Sequence, residues 1–178
     1  MKSAIDIAVR HRAWLAIAGV RALCRRAAQA ALDAPAPPGR PPVPGPVELS
    51  ILLADDATLR DLNRRFRGID KPTNVLSFPA SDDAPARFDM PAALGDVAIA
   101  YETCAAEAAR DHKPMADHLC HLVMHGVLHL RGYDHERDDE ADAMERLETT
   151  ILAGLGVADP YGADVDADDT ATRRVPAS

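Results

Sequence analysis

Residues Ala4–Val9 alternate apolar and polar side chains well enough to predict a first, half-buried strand. From residue 13 to residue 32 the chain turns alanine-rich, and Arg21, Arg25 and Gln29 at steps of four mark the polar stripe of an amphipathic helix. Trp14 at its start is read as a core anchor. Residues 47–53 form a second strand, and Asp55 or Asp56 caps a helix that runs to Phe66 with Leu59, Leu62 and Phe66 as its apolar face. Residues 70–79 read as a turn and a short strand closed at each end by proline. A fourth strand follows at 94–100 and a helix at 102–112.

The apolar run 119–130 predicts a buried helix, with Pro114 suited to its first turn. A further amphipathic helix over 139–155, through Met144, Leu147 and Ile151, is expected to pack against it. Two stretches break the periodicity inside the chain. Residues 35–46 hold seven prolines, which lack the amide donors that helix or sheet needs, and are read as a stiff surface loop within one domain. Residues 82–91 are polar and proline-containing, and are expected to be mobile. Beyond Asp159 periodicity is lost and Asp164, Asp166, Asp168 and Asp169 accumulate, so residues 1–158 are read as one domain and 159–178 as a disordered acidic tail.

A chain of 178 residues is long enough to bury a real core. Its formal net charge of -8 argues against a general polyanion-binding surface. Steering depends on where charges lie, however, and Arg60, Arg64, Arg65, Arg67 and Lys71 form a dense local cluster. For Arg60 and Arg64 a solvated helix face is an equal reading. Cys24, Cys104 and Cys120 are widely spaced with no Cys-x-x-Cys pair, which fits a reduced, cytoplasmic compartment with all three as small buried residues. The apolar run 13–20 is interrupted by Arg21, Arg25 and Arg26, so neither an exported leader nor a membrane span is expected.

The chemistry concentrates at His125-Gly126-Val127-Leu128-His129-Leu130-Arg131-Gly132-Tyr133-Asp134-His135. On a helix His125 and His129 lie on one face, about 6 Å apart along the axis. Gly132 then breaks the helix and lets the chain swing back to bring in His135. Three imidazoles on one divalent ion leave a coordination position open, as at a catalytic zinc site. Zinc leads among candidate metals because three imidazoles suit it, although nickel, copper or iron also accept them. The spacing is that of the His-Glu-x-x-His-x-x-Gly-x-x-His hydrolases, but position 126 is Gly. A chain without that glutamate lacks the usual proton acceptor of peptide hydrolysis. His118 and His121, each about one turn further back, are read equally as substrate or outer groups and as satisfied structural histidines.

Two blocks together resemble the YbeY-type single-strand-specific metallo-endoribonucleases of ribosomal RNA maturation. They are the 125–135 stretch and the run Asn63-Arg64-Arg65-Phe66-Arg67-Gly68-Ile69-Asp70-Lys71-Pro72-Thr73-Asn74-Val75-Leu76-Ser77-Phe78-Pro79. The resemblance extends over about residues 47–161. It implies an α+β, zincin-like fold: a small mixed four-stranded sheet packed with helices around a central metal-bearing helix. It implies His125, His129 and His135 as metal ligands and places Arg67 where the family has its catalytically important arginine. It further implies 3′-end maturation of small-subunit ribosomal RNA and ribosome quality control, with ribosomal RNA and the small ribosomal subunit as partners and no membrane. The proline-rich segment and the tail depart from the more compact family pattern, and no function is carried onto them.

An always-charged, forked Arg67 suits the equatorial oxygens of a phosphodiester. A phosphate oxygen, the ribose hydroxyl or a carboxylate such as Asp134 can take the proton that the missing glutamate would have taken; Asp134 is read first as a hydrogen-bond partner of a ligand histidine. The rival readings are a ribosome-associated binding module with a structural metal, and a metallopeptidase.

Overall fold

The computed structural model describes residues 3–43, 45–81, 91–134 and 137–162. Four strands, β1 (Ala4–Val9), β2 (Val47–Ala54), β3 (Val75–Pro79) and β4 (Ala92–Ala100), form one sheet in the order β1-β2-β4-β3. β1 with β2 and β2 with β4 are parallel, and β3 runs antiparallel to β4 at the edge. The helices are α1 (Val20–Leu32), α2 (Asp56–Arg67), α3 (Tyr101–Arg110), α4 (Met115–Leu130) and α5 (Asp138–Gly154). This is the expected α+β fold with a small mixed four-stranded sheet.

Alternation along the strands divides the core in two. Leu49, Ile51 and Leu53 of β2 and Val97 and Ile99 of β4 point into the larger cluster with α1 and α4, while Ala54, Ala98, Ala100 and Leu76 face Leu59 of α2 on the other side. α4 is buried nearly all round, because it packs against α1, α3, α5 and the sheet together. A helix enclosed on every side holds its one polar stripe, His118, His121, His125 and His129, in a fixed orientation.

Several expectations need correction. The single helix expected over 13–32 is a short 3-10 turn (Arg12–Ala16) and then α1. Gly19, at φ 66, separates them, a left-handed conformation that glycine takes at little cost. Trp14 is fully buried as expected, and its Nε1–H reaches the Ala54 carbonyl at 2.9 Å. Phe66 does not join Leu59 in the core: at the last turn of α2 it is 68% exposed, with the ring of Phe78, on the edge strand β3, 5.1 Å away. On α5 the buried stripe is Met144, Glu148 and Leu152, so of the three residues expected there only Met144 is fully buried, and a carboxylate sits among them.

The three cysteines are free and buried. Burial pushes the thiols of Cys24 and Cys104 up to about 12 and that of Cys120 to about 11. Residues 35–43 carry no helix or strand, as the prolines require. The segment 82–90, His135 and residues 163–178 of the expected tail lie outside the described residues. The chain remains docked as far as Tyr161, with Lys113 Nζ on the Pro160 carbonyl at 2.7 Å and Thr149 Oγ1 on Asp159 at 3.1 Å. No helix among the described residues is long and apolar enough to cross a membrane.

Candidate metal centre

α4 places His125 and His129 one turn apart, and their Nε2 atoms converge to 2.9 Å. The opposite ring nitrogens explain what that distance means. His125 Nδ1 lies 2.6 Å from a carboxylate oxygen of Glu148, and His129 Nδ1 lies 3.0 Å from the Tyr133 carbonyl. A carbonyl and an ionised carboxylate only accept, so each Nδ1 carries a proton and the two rings meet through their Nε2 atoms. Two imidazole nitrogens turned to one point on the same side of a helix are what a shared cation needs. The donor set therefore fits a divalent ion on the Nε2 side, and the sequence supplies His135 as a third imidazole; it lies outside the described residues. Gly132, at φ 92, makes the turn after α4.

Glu148 was not anticipated as a site residue. It is wholly buried and takes hydrogen bonds from His125, from His121 Nε2 at 3.0 Å and from the Tyr161 hydroxyl. Burial alone would raise its pKa, but the hydrogen bonds from His121 and His125, the charge of His125 and the Tyr161 hydroxyl outweigh it, and the carboxyl is held down at about 2. The Tyr161 hydroxyl is pushed the other way, by burial first and then by the same carboxylate. One signal was present in the sequence: Glu148 is four residues after Met144 and four before Leu152, an acidic side chain inside an apolar stripe.

His121, His125 and Glu148 also form a group that could hold a metal ion, their ligand atoms all lying within 4.8 Å of one another. Their contacts are those of a hydrogen-bonded chain, in which the carboxylate holds Nδ1 of His125 and so orients the ring. His118 has a similar outer partner, Glu107, at 2.8 Å, and Glu107 in turn holds Asn74 at 3.0 Å on the wall of the adjacent cavity. Neither His118 nor His121 faces that cavity.

The cavity beside the two converging nitrogens has a volume of about 640 Å³, and Arg67, Asn74, Ser77, Asp134, His125 and His129 are among its lining. Sequence positions almost 60 apart meet here because of how α2 ends. Gly68, at φ 70, closes the helix with its N–H on the Arg64 carbonyl, and buried Asn63 holds the following turn through the Lys71 carbonyl at 2.8 Å. Arg67 is thus presented from the last turn of α2 beside β3. The other arginines of the cluster are used locally: Arg60 pairs with Asp70 at 2.7 Å, and Arg64 and Arg65 both pair with Asp61. Among the described residues Arg67 has no ion pair.

Position 126 has a packing reason as well as a chemical one. A Cβ on Gly126 would lie 2.7 Å from Val97 Cγ1 and 3.2 Å from Ser77 Oγ, and the Gly126 carbonyl accepts the Ser77 hydroxyl at 3.0 Å. A side chain there would crowd Val97 and Ser77, so the packing of α4 on the sheet favours glycine at this position.

The endoribonuclease YbeY family profile matches residues 20–156. A protein named endoribonuclease YbeY from Paramagnetospirillum magneticum is 57% identical over 153 residues, covering 84% of this chain and 90% of its own. Its namesake from Rhizobium meliloti is 48% identical over 159 residues, covering 89% of this chain and 94% of its own. Among solved structures, the solution structure of TM1509 from Thermotoga maritima has the same fold, with a TM-score of 0.50 at 20% identity, over 89% of this chain and 99% of that one.

Proposed function

The chain belongs to the endoribonuclease YbeY family, and from that premise we propose that it is a metal-dependent endoribonuclease acting on ribosomal RNA precursors. The reading extends to maturation of the 3′ end of small-subunit ribosomal RNA and to ribosome quality control, with ribosomal RNA and the small ribosomal subunit as partners, in the cytoplasm. The observation that carries it is the 2.9 Å convergence of the His125 and His129 Nε2 atoms in a cavity that Arg67 also lines.

His125, His129 and His135 are the proposed ligands, with Zn²⁺ favoured by an all-imidazole set. Held by these residues, a divalent ion would supply Lewis-acid chemistry toward a phosphoryl oxygen and an attacking water. The chain's own residues do the rest. Glu148 and the Tyr133 carbonyl hold the two imidazoles in the tautomer and orientation that binding needs. Arg67 meets the non-bridging oxygens with two parallel N–H donors and opposes the negative charge that grows there in the transition state. Asp134, on the same wall, is the carboxylate within the cavity lining that can take a proton.

The test is incubation of metal-loaded protein with structured ribosomal RNA, beside a His129→Ala control. Discrete cuts by the wild type and none by the control are expected. No cutting by fully metal-loaded wild type would refute the proposal and leave a ribosome-associated binding module as the better account.

A further inference from the structure

A second arginine, Arg40, lines the same cavity as Arg67, His125 and His129. It comes from the proline-rich segment, and three hydrogen bonds tie the start of that segment to the turn that follows His129. Arg131 donates to the Ala31 and Ala34 carbonyls, each at 2.7 Å, and the Tyr133 hydroxyl donates to the Pro35 carbonyl at 3.0 Å. Pro37 is buried, and a turn from its carbonyl to the Arg40 N–H at 3.1 Å aims the next side chain back toward α4. The prolines fix φ along this path, so little backbone freedom remains to be lost.

Arg40 then crosses the bare backbone of Gly132. A Cβ at that glycine would collide with Arg40 Nη1 and lie 2.9 Å from its Cζ. The absence of a side chain at 132 thus serves the turn after α4 and also seats the guanidinium. Among the described residues, the Arg40 side chain has no hydrogen bond or ion pair, although Asp134, Asp139 and Glu140 share a neighbouring groove with it. Asp139 in that groove is taken up by Arg137 at 3.1 Å, and a planar, permanently charged fork left exposed at the rim of a cavity holding another arginine suits an incoming oxyanion.

We infer that Arg40 binds a phosphate of the RNA backbone next to the scissile one, as a subsite that positions single-stranded substrate across the metal centre. This rests on the endoribonuclease reading above. Arg67 acts at the reacting phosphate; Arg40 holds the strand beside it. The two should therefore differ in what their loss does.

The experiment uses the full chain, Arg40→Ala and Arg40→Lys. Binding of a short single-stranded oligoribonucleotide to metal-stripped protein is followed by fluorescence anisotropy over a range of salt concentrations, and steady-state cleavage is measured with metal restored. For Arg40→Ala the slope of log affinity against log salt should become shallower by about 0.7, the value of one phosphate contact on a single strand. KM should rise severalfold and kcat should change far less, with Arg40→Lys keeping the slope and recovering part of the affinity. An unchanged slope overturns the inference, whether affinity is also unchanged or falls, since a fall alone would mean that Arg40 only shapes the loop. If wild type neither binds nor cuts RNA, the endoribonuclease reading fails and this one with it. If wild type does both and Arg40→Ala matches it, only the subsite fails.

Discussion

Replacing Glu148 by Gln removes a negative charge from a position with no solvent exposure and keeps the shape of the side chain. The amide oxygen can still accept the proton on His125 Nδ1, and the amide NH₂ turns toward His121 Nε2 and the Tyr161 hydroxyl. Three charge-assisted hydrogen bonds thereby become neutral ones, each weaker by roughly 0.5–1.5 kcal/mol, for a total of about 2 kcal/mol because neighbouring bonds do not add in full. For a chain of this size that is a fall in Tm of about 4–8 °C. The effect on the metal is separate. An imidazole whose Nδ1–H faces a neutral amide is a poorer base at Nε2, and loss of such a partner weakens metal binding by about ten- to a hundredfold, or about 1.4–2.7 kcal/mol.

Competition against a chelating dye gives the metal affinity, and differential scanning fluorimetry of metal-free protein gives the stability. The same pair of assays separates the two donor groups that share His125. If the ion sits between the Nε2 atoms, His129→Ala abolishes binding, His121→Ala leaves it nearly unchanged and Glu148→Gln weakens it. If the ion instead sits among His121, His125 and Glu148, His121→Ala and Glu148→Gln both abolish binding and His129→Ala is tolerated. That second pattern, or full wild-type affinity in Glu148→Gln, would refute the tautomer argument.

Gly126→Glu should create no peptidase and should destabilise by about 1–3 kcal/mol through overpacking against Val97 and Ser77, read as a lower urea midpoint; equal stability would mean that the helix–sheet contact gives way easily. Arg67→Ala should keep its metal and its melting temperature yet lose about a hundredfold or more in kcat at saturating RNA, with Arg67→Lys recovering part; a normal kcat would reduce Arg67 to simple binding. Metal-free protein should lose stability in acid. Glu148 is depressed from 4.5 to about 2, so its contribution is complete above about 4.5 and disappears as the pH falls toward 2. The loss is on the order of 3 kcal/mol, and Glu148→Gln should flatten this limb of the stability curve.

The elements that were legible in the sequence are those whose signal is local. Alternation found β1, flanking prolines marked β3, and Asp55, whose carboxylate accepts from the Thr58 N–H at 2.9 Å, marked the start of α2. What periodicity does not carry is how far an element extends past the layer it packs on. Phe66 has the spacing of a core residue and lies outside the core, because spacing fixes a direction around the helix axis and not what stands opposite it. The break at Gly19 was missed for a related reason, since a glycine within an alanine-rich run costs a helix only about 1 kcal/mol and does not by itself declare a boundary.

The candidate site divides along the same line. His125 and His129 could be paired from sequence because four residues on a helix is one turn, a purely local relation. Glu148 lies 23 residues from His125 on another helix, and only the packing of α5 on α4 brings its carboxylate to 2.6 Å. Yet its charge in a buried stripe was itself informative. A carboxylate is costly to bury unless donors surround it, so an acidic residue at a core position implies a donor on the facing helix. α4 offers one stripe of such donors, the histidines. The orientation of the His125 ring follows from a residue whose charge reads as an error in the apolar stripe of an amphipathic helix.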